Sequence, residues 1–232
     1  MFKGQSALIT GGSRGIGLAI AKKLANQGAT ITLLANNESV LKQSVKQLSS
    51  EYDQQHAILS VDLLHLVQEN YNLSKLQDSF KSHSILVNCA GITTHTLLQR
   101  TTQKQITETI NLNLTVPIIL SQLCVKHMMR QRDQNPSILN IASVLSLTHH
   151  LLPGTSVYAA SKAGLLGFTK SLAHELKGRV RVNALLPALV KDTEMGKIVK
   201  GDLAEVSMDV VVNKAVEVLS ELSVNGECIT LD

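Results

Sequence analysis

The sequence predicts an α/β fold in which a doubly wound, seven-stranded, mostly parallel sheet carries helices on both faces. Seven short apolar runs rich in β-branched residues alternate with stretches of helical spacing, which is the pattern of repeated strand–helix–strand units. The hydrophobic fraction is 44% and the charged fraction is 17%, as expected for a sheet buried on both faces. No linker, repeat or abrupt change in composition divides the 232 residues, so the chain is predicted to form a single domain over 1–232.

Each element follows from its own pattern of apolar residues. The runs that predict strands lie at 6–10, 29–35, 56–61, 84–90, 137–143, 179–186 and 227–231. The stretches with helical spacing lie at 16–28, 38–50, 73–80, about 103–132, 156–176 and 208–222. In a sheet of this kind, ligands bind beyond the carboxyl ends of the strands, so the segments that follow the strands are where functional residues are expected.

Composition and charge exclude several classes of function. The net charge of +4 is dispersed and lacks interleaved aromatic residues, so we expect no nucleic-acid platform. No run approaches the roughly 20 apolar residues of a membrane-spanning helix. Cys89, Cys124 and Cys228 form no C-x-x-C pair and are predicted to be reduced thiols. His149 and His150 lack further ligands at metal-binding spacing, so we expect no metal site.

A glycine-rich turn joins the first strand to the first helix. Thr10–Gly17 reads TGGSRGIG, in which Gly11 permits a tight turn, Gly15 lets the backbone approach a pyrophosphate, and Gly17 lets the helix pack closely. The amino end of the following helix supplies free N–H groups and a favourable dipole for an anion. This context predicts a dinucleotide site.

Two tyrosine–lysine pairs have the same spacing, Tyr158 with Lys162 and Tyr71 with Lys75. Residues four apart lie on one helix face, and a neighbouring ammonium group would stabilise a phenolate and so make tyrosine useful in proton transfer. The first pair opens the helix after the fifth strand, which delivers Ser143 at its carboxyl end. The second pair has no other chemistry near it in sequence. We therefore predict that Tyr158 is the functional tyrosine.

The G-x-x-x-G-x-G spacing resembles that of the short-chain dehydrogenase/reductase family, and the resemblance extends from end to end of the chain. It implies a Rossmann-type fold and a catalytic set of Asn113, Ser143, Tyr158 and Lys162. Ser143 would bind the substrate carbonyl, Tyr158 would donate a proton, Lys162 would also hold the nicotinamide ribose, and Asn113 of the N-L-T motif would complete a proton relay. The residues that are predicted to bind the cofactor are Gly11, Ser13, Arg14, Gly15, Ile16, Gly17, Asn36, Asp62, Leu63, Asn88, Ala90, Gly91, Tyr158, Lys162, Pro187, Val190 and Thr193.

The end of the second strand bears on which nicotinamide cofactor binds. An acidic residue there would hold the ribose 2′-hydroxyl of NAD, but this chain has Ala35-Asn36-Asn37. Arg14 could pair with a 2′-phosphate. NADPH/NADP is therefore the predicted cofactor.

The substrate loop, around 187–207, departs from the family pattern. Ala188 replaces the glycine of a Pro-Gly pair, which is expected to restrict the loop, and little chain is left for a lid between Met195 and Met208. The separation of Ser143 and Tyr158 is also a little longer than in bacterial relatives, because of the THHLLPGTS insertion. These departures predict an open site.

An open site suits a substrate on a large carrier, and the whole chain resembles 3-oxoacyl-[acyl-carrier-protein] reductases, particularly the fungal mitochondrial type. Acyl-carrier protein is the predicted partner, with Arg130, Arg132, Lys177 and Arg179 as basic contacts. A homotetramer and a mitochondrial matrix location follow from the same resemblance. The alternatives are the cytoplasm, since only MFKG precedes the first strand, a carbonyl reductase for free small ketones or quinones, and a non-catalytic subunit of a hetero-oligomer.

Overall fold

The structure is a computed structural model that describes residues 1–72, 74–198 and 203–232, with every side chain in these ranges except those of residues 74, 75, 77, 132 and 198. Leu73, in the predicted helix at 73–80, lies outside the described residues. Residues 199–202, in the predicted substrate loop, also lie outside them.

Seven strands form one sheet, and every pair of neighbours is parallel. The strands are β1 (Ser6–Thr10), β2 (Thr30–Ala35), β3 (Ala57–Ser60), β4 (Ile85–Asn88), β5 (Ser137–Ile141), β6 (Arg181–Pro187) and β7 (Cys228–Leu231). Their order across the sheet is β3-β2-β1-β4-β5-β6-β7, so the chain winds outward in both directions from β1 and β4. This confirms the predicted fold class. It also places the switch point, where ligands bind in such sheets, between β1 and β4.

Helices cover both faces of the sheet. They are α1 (Gly15–Asn26), α2 (Glu38–Val45), α3 (Ser74–Phe80), α4 (Gln103–Ile110), α5 (Val116–Met128), α6 (Ser156–Leu176), α7 (Glu194–Ile198) and α8 (Met208–Ser220). Two large apolar clusters lie on the two faces, one built with α1 and α8 and the other with α5 and the carboxyl half of α6. Because both faces are covered, β4, β5 and β6 are buried along their whole length.

The long helix predicted at about 103–132 is interrupted. A π-helical segment, Asn111–Thr115, separates α4 from α5, and Asn113 in it is fully buried. Such segments interrupt the regular hydrogen-bond ladder and are frequent at functional sites. Hydrophobic periodicity could not reveal the interruption, because apolar residues continue through it.

Taken together with the π-helical segment, the helical stretch Gln103–Met128 also has the length and mean hydropathy, 1.2, that would allow it to cross a membrane. This differs from the sequence-based expectation that no run was long enough. Val116, Leu120 and Cys124 of this stretch pack into the core against the sheet. Since core helices pass the same test of length and composition, the stretch is weak evidence for a membrane segment.

Candidate active site

A cleft of about 660 Å³ opens at the carboxyl edge of the sheet. It is lined by the segments that follow β1, β2, β3, β4, β5 and β6 and by the first turns of α6. All the residues predicted from the sequence to bind cofactor or to catalyse line this cleft, except Asn88 and Asn113. The fold therefore brings together side chains as far apart in sequence as Gly11 and Thr193. The chemical roles of these residues stay predictions.

The glycine-rich turn has little room for any side chain. Gly11 has a φ of +64°, in the left-handed region that favours glycine. A Cβ atom on Gly17 would lie 2.5 Å from the carbonyl oxygen of Gly11, which is backbone and cannot swing aside. A Cβ on Gly12 would likewise approach the Ile9 carbonyl oxygen to 3.0 Å. The turn is thus a tightly folded backbone cradle at the amino end of α1.

Replacing Gly17 with alanine is expected to weaken nucleotide binding by at least about tenfold, because the turn must open to relieve the contact with Gly11, and tenfold corresponds to only about 1.4 kcal/mol. The measurement is a fluorescence titration with NADPH. Ala19→Gly in the same helix is the control, since it lowers helix propensity by about 1 kcal/mol without crowding the turn. Equal losses for both variants would mean that α1 stability, and not the shape of the turn, governs binding.

The Arg14 side chain forms an ion pair in the structure. Its Nη1 lies 2.8 Å from Oε2 of Glu194, and both side chains are exposed. Asn36 and Asp62 line the same end of the cleft, and Asp62 Oδ1 accepts a hydrogen bond from the backbone N–H of Leu64. Arg14 therefore has a carboxylate partner, Glu194, that the sequence did not predict.

Ser143, Tyr158 and Lys162 converge at the other end of the cleft. Ser143 follows β5, and Tyr158 and Lys162 lie one turn apart on α6. All three are nearly buried, at 9%, 7% and 4% exposed. Lys162 Nζ donates a hydrogen bond to the Ile141 carbonyl oxygen at 2.7 Å and lies 5.9 Å from the centroid of the Tyr158 ring. The insertion before α6 does not separate the group, because it folds back and Gly154 accepts a hydrogen bond from Thr96 N at 3.1 Å.

Burial is the largest influence on the pKa values of Tyr158 and Lys162. It raises the pKa of Tyr158 to about 12, although a hydrogen bond with Ser143 acts in the opposite direction. It also lowers the pKa of Lys162 to about 8, against a smaller opposing effect of Cys89. Desolvation is the largest effect on the phenol, so its pKa lies above the usual value in this structure, and the stabilisation of a phenolate by Lys162 stays a prediction. At neutral pH the pair is a phenol beside an ammonium ion, which is a proton donor beside a cation.

Asn113 lies behind the cleft rather than in it. Its amide donates to the Ile92 carbonyl oxygen at 2.8 Å and to Ser161 Oγ at 3.1 Å, and Oδ1 accepts from Ile92 N at 2.9 Å. Ser161 in turn donates to the Tyr158 carbonyl oxygen. With both amide hydrogens engaged by protein, the side chain holds the first turn of α6 against the segment after β4. These hydrogen bonds hold the first turn of α6 through Asn113 and Ser161, of which the sequence predicted only Asn113. The proton-relay role of Asn113 stays a prediction.

Asn88 also differs from the prediction. It is buried at the end of β4, where its amide donates to Asn140 Oδ1 on β5 at 2.9 Å. Asn140 then donates to Thr169 Oγ1 on α6 at 2.9 Å. Asn88 therefore does not line the cleft, because its side chain bonds Asn140 and ties β4 to β5. Its neighbours Ala90 and Gly91 do line the cleft.

The second tyrosine, Tyr71, is remote from the cleft. Its ring stacks on His65, with the ring centroids 6.3 Å apart, and packs against the core. The Lys75 side chain lies outside the described part of the chain. Tyr71 does not line the cleft, so of the two tyrosines only Tyr158 lies beside Ser143.

The substrate loop begins without strain. Ala188 is absent from the non-glycine residues with positive φ in the described ranges, and its N–H donates to the Leu231 carbonyl oxygen at 2.7 Å. Alanine therefore fits at this position without backbone strain, and the restriction of the loop stays a prediction. A short helix that the sequence analysis did not predict, α7, follows, and it presents Glu194 to the cleft.

The basic residues proposed as carrier contacts lie far from this cleft. Lys177 ends α6, 19 residues beyond Tyr158, which is about 28 Å along a helix. Arg179 precedes β6 and Arg130 follows α5, so both are at the amino edge of the sheet, and the Arg132 side chain is outside the described ones. A carrier docked on these residues would not face the cleft of the same chain.

One cysteine, Cys89, and one histidine, His95, line the cleft. Burial raises the pKa of the Cys89 thiol to about 11, so that thiol stays protonated although it lines the cleft. No group of three or more potential metal ligands occurs among residues 1–72, 74–198 and 203–232.

Comparison with known proteins bears on this geometry. The family model described as short chain dehydrogenase matches residues 5–204. A 3-oxoacyl-[acyl-carrier-protein] reductase of Aquifex aeolicus is 33% identical over 204 residues, covering 88% of this chain and 80% of the relative. Carbonyl reductase family member 4 of Xenopus laevis is 34% identical over 195 residues, covering 84% and 78%.

A solved structure gives the same result for the fold. The short chain dehydrogenase from Burkholderia cenocepacia J2315 in complex with NADP superposes with a TM-score of 0.83 at 28% identity. The superposition covers 100% of this chain and 97% of that one.

Proposed function

This chain belongs to the short-chain dehydrogenase family of oxidoreductases, and on that premise we propose that it reduces the 3-oxo group of 3-oxoacyl-[acyl-carrier-protein] with NADPH. The observation that carries the proposal is the convergence of Ser143, Tyr158 and Lys162 beside a glycine-rich cradle in one cleft. Relatives named as reductases of this substrate support the choice of carbonyl compound.

The residues present fit a nicotinamide dinucleotide. In the cradle of Gly11, Gly15 and Gly17, a Cβ atom on Gly11 or Gly17 would crowd neighbouring backbone. A Cβ atom on Gly15 would meet only Thr193, at 3.7 Å. Asp62 and Leu63 would hold the adenine end, Lys162 the nicotinamide ribose, and Val190 with Thr193 the carboxamide. When bound, the reduced nicotinamide would supply the hydride that this chain's own residues cannot.

The protein would then orient the ketone and move one proton. The substrate oxygen accepts hydrogen bonds from Ser143 and Tyr158, which polarise the carbonyl. As the carbonyl carbon gains hydride, its oxygen gains an electron pair and takes the Tyr158 proton, so the ketone becomes a secondary alcohol. The Lys162 ammonium stabilises the phenolate that remains, and that phenolate regains a proton from solvent.

A second candidate is a reductase for free small ketones or quinones. The observation that favours it is the position of Arg130, Lys177 and Arg179 at the amino edge of the sheet, away from the cleft. The carbonyl reductase relative of Xenopus laevis supports it as well. A non-catalytic cofactor-binding subunit would have no need for the complete set of polar residues around Tyr158.

The test is NADPH oxidation by the purified protein with an acetoacetyl group offered on carrier protein, on coenzyme A and as a free ester. The proposal expects the highest kcat/KM with carrier protein. Equal or better turnover of the free ester supports the second candidate. Nucleotide binding without turnover of any carbonyl would contradict both enzymatic readings and favour the non-catalytic subunit.

We also propose a homotetramer in the mitochondrial matrix, both on the resemblance described above. The tetramer would be built on α5, α6 and β7. Light scattering of the purified chain tests the assembly, and microscopy of a tagged full-length chain distinguishes the matrix from the cytoplasm.

A further inference from the structure

The ion pair of Arg14 with Glu194 joins two segments that are 180 residues apart in sequence. Arg14 precedes the first turn of α1, and Glu194 is the first residue of α7. Nη1 of Arg14 lies 2.9 Å from Oε1 and 2.8 Å from Oε2 of Glu194, so it contacts both carboxylate oxygens. Both residues line the cleft. The pair therefore bridges the phosphate end of the cleft.

The segment that carries Glu194 has hydrogen bonds of its own besides the ion pair. At the base of its loop, Leu189 pairs with Glu205, and Leu189 N donates to the Ala204 carbonyl oxygen at 2.9 Å. Nearer the tip, Thr193 Oγ1 donates to the Val190 carbonyl oxygen at 2.8 Å and accepts from Gly196 N at 2.9 Å. The carboxylate is thus presented to the glycine-rich turn by its own segment.

Arg14 has no substitute at this end of the cleft. Among the described residues that line it, the only lysine or arginine side chains are Arg14 and Lys162, and Lys162 lies at the opposite end beside Tyr158. Asn36, at the end of β2, carries no charge. Any preference for a nucleotide with an additional phosphate therefore depends on how free Arg14 is to bind that phosphate.

We propose that Glu194 sets the choice between NADPH and NADH by competing with the 2′-phosphate for Arg14. The inference rests on the proposed function, because it takes the cleft to be the dinucleotide site. A 2′-phosphate must displace Glu194 or share Arg14 with it, whereas NADH leaves the ion pair undisturbed. Glu194 is then a specificity-determining residue that lowers the affinity for NADPH selectively.

The test is the dissociation constant of each nucleotide, measured by fluorescence titration without substrate. We expect Glu194→Gln to tighten NADPH binding by about three- to tenfold, since an exposed ion pair of modest strength is removed together with a negative charge near the phosphate. NADH binding changes less than about twofold. Arg14→Met weakens NADPH binding, and Glu194→Gln gives a smaller gain in the Arg14→Met background, because only the removal of the negative charge then acts.

Two controls separate the ion pair from general effects. Asp192→Asn removes a carboxylate that lies in the same loop and also lines the cleft. We expect this variant to leave the ratio of the NADPH and NADH dissociation constants within about twofold of that of the unaltered protein. Titration with 2′-phospho-ADP-ribose and with ADP-ribose identifies the phosphate, because only the former should gain from Glu194→Gln.

Several outcomes would overturn the inference. They are an equal gain for NADPH and NADH, an equal gain for both fragments, an equal effect of Asp192→Asn, or a gain of the same size in the Arg14→Met background. In each of these cases nucleotides still bind, so the proposed function stands. If no nucleotide binds to the unaltered protein, the proposed function and this inference fail together.

Discussion

Replacing Tyr158 with phenylalanine lowers kcat for carbonyl reduction by about 10³-fold while NADPH binding stays within about twofold. General acid catalysis by a positioned side chain typically contributes 10²–10⁴-fold. The hydroxyl is the only proton-donating group that the variant loses, since the ring remains to fill its buried site. The measurement is steady-state NADPH oxidation combined with a binding titration.

Tyr71→Phe is the matched control for this substitution. The same atom is removed from a tyrosine that also stands four residues before a lysine, but that stacks on His65 away from the cleft. We expect wild-type kcat from this variant. If Tyr71→Phe also loses activity, or if Tyr158→Phe keeps it, the assignment of the proton donor to Tyr158 is contradicted.

Replacing Lys162 with methionine is expected to abolish most turnover and yet make the unliganded protein more stable at neutral pH. Burial lowers the pKa of Lys162 from its usual 10.5 to about 8, so below pH 8 the folded protein carries a poorly solvated ammonium group. The difference corresponds to about 3 kcal/mol of unfavourable free energy. The hydrogen bond to Ile141 that methionine cannot make offsets part of this, so we expect a gain in unfolding free energy of about 1–3 kcal/mol at pH 7.

The sign of the pH dependence follows from proton uptake. Between pH 8 and 10.5 the unfolded chain keeps the Lys162 proton and the folded chain releases it, so the unfavourable free energy is present below pH 8 and disappears as the pH rises through this window. Urea unfolding at pH 7 and at pH 9.5 should therefore show the advantage of Lys162→Met shrinking. Both pH values lie below the range from pH 10 to about 12. In that range the raised pKa of Tyr158 lowers the free energy of unfolding as the pH increases.

Two results would contradict this account of Lys162. One is a variant that is less stable than the unaltered protein by the same amount at both pH values, which would mean that the ammonium group is not desolvated. The other is unchanged turnover, since loss of the cation beside the phenolate is expected to cost about 10²-fold or more in kcat.

The strands and the glycine-rich turn were predictable because their signals are local. The strands β1 to β5 and β7 fall within the apolar runs that predict them, and β6 extends one residue beyond its run, to Pro187. The glycines of the turn sit between a strand and a helix. The choice of Tyr158 over Tyr71 was also available, since Ser143 at the end of β5 gives the first pair its neighbour. These predictions were possible because the carboxyl ends of parallel strands lie at one edge of the sheet. Residues that follow different strands in the sequence therefore lie close together there.

Other features of the site depend on contacts that sequence order does not encode. Arg14 meets Glu194 across 180 residues, and α7, which presents Glu194, is too short for a periodicity argument. The π-helical segment that buries Asn113 is invisible to hydrophobic spacing. Asn88 was expected to bind cofactor because Asn88-Cys89-Ala90-Gly91 matches the family's N-A-G-type turn, but its side chain proves to bond Asn140 on the neighbouring strand.

The most direct test of the account is isotopic. NADPH carrying deuterium on the transferred position of C4 is mixed with an acetoacetyl group on carrier protein, and the product is analysed by mass spectrometry. The account predicts one deuterium at C3 of the 3-hydroxyacyl product from the unaltered protein and no product above background from Tyr158→Phe. Nucleotide that binds without oxidation, or product that carries no deuterium, would contradict hydride transfer in this cleft.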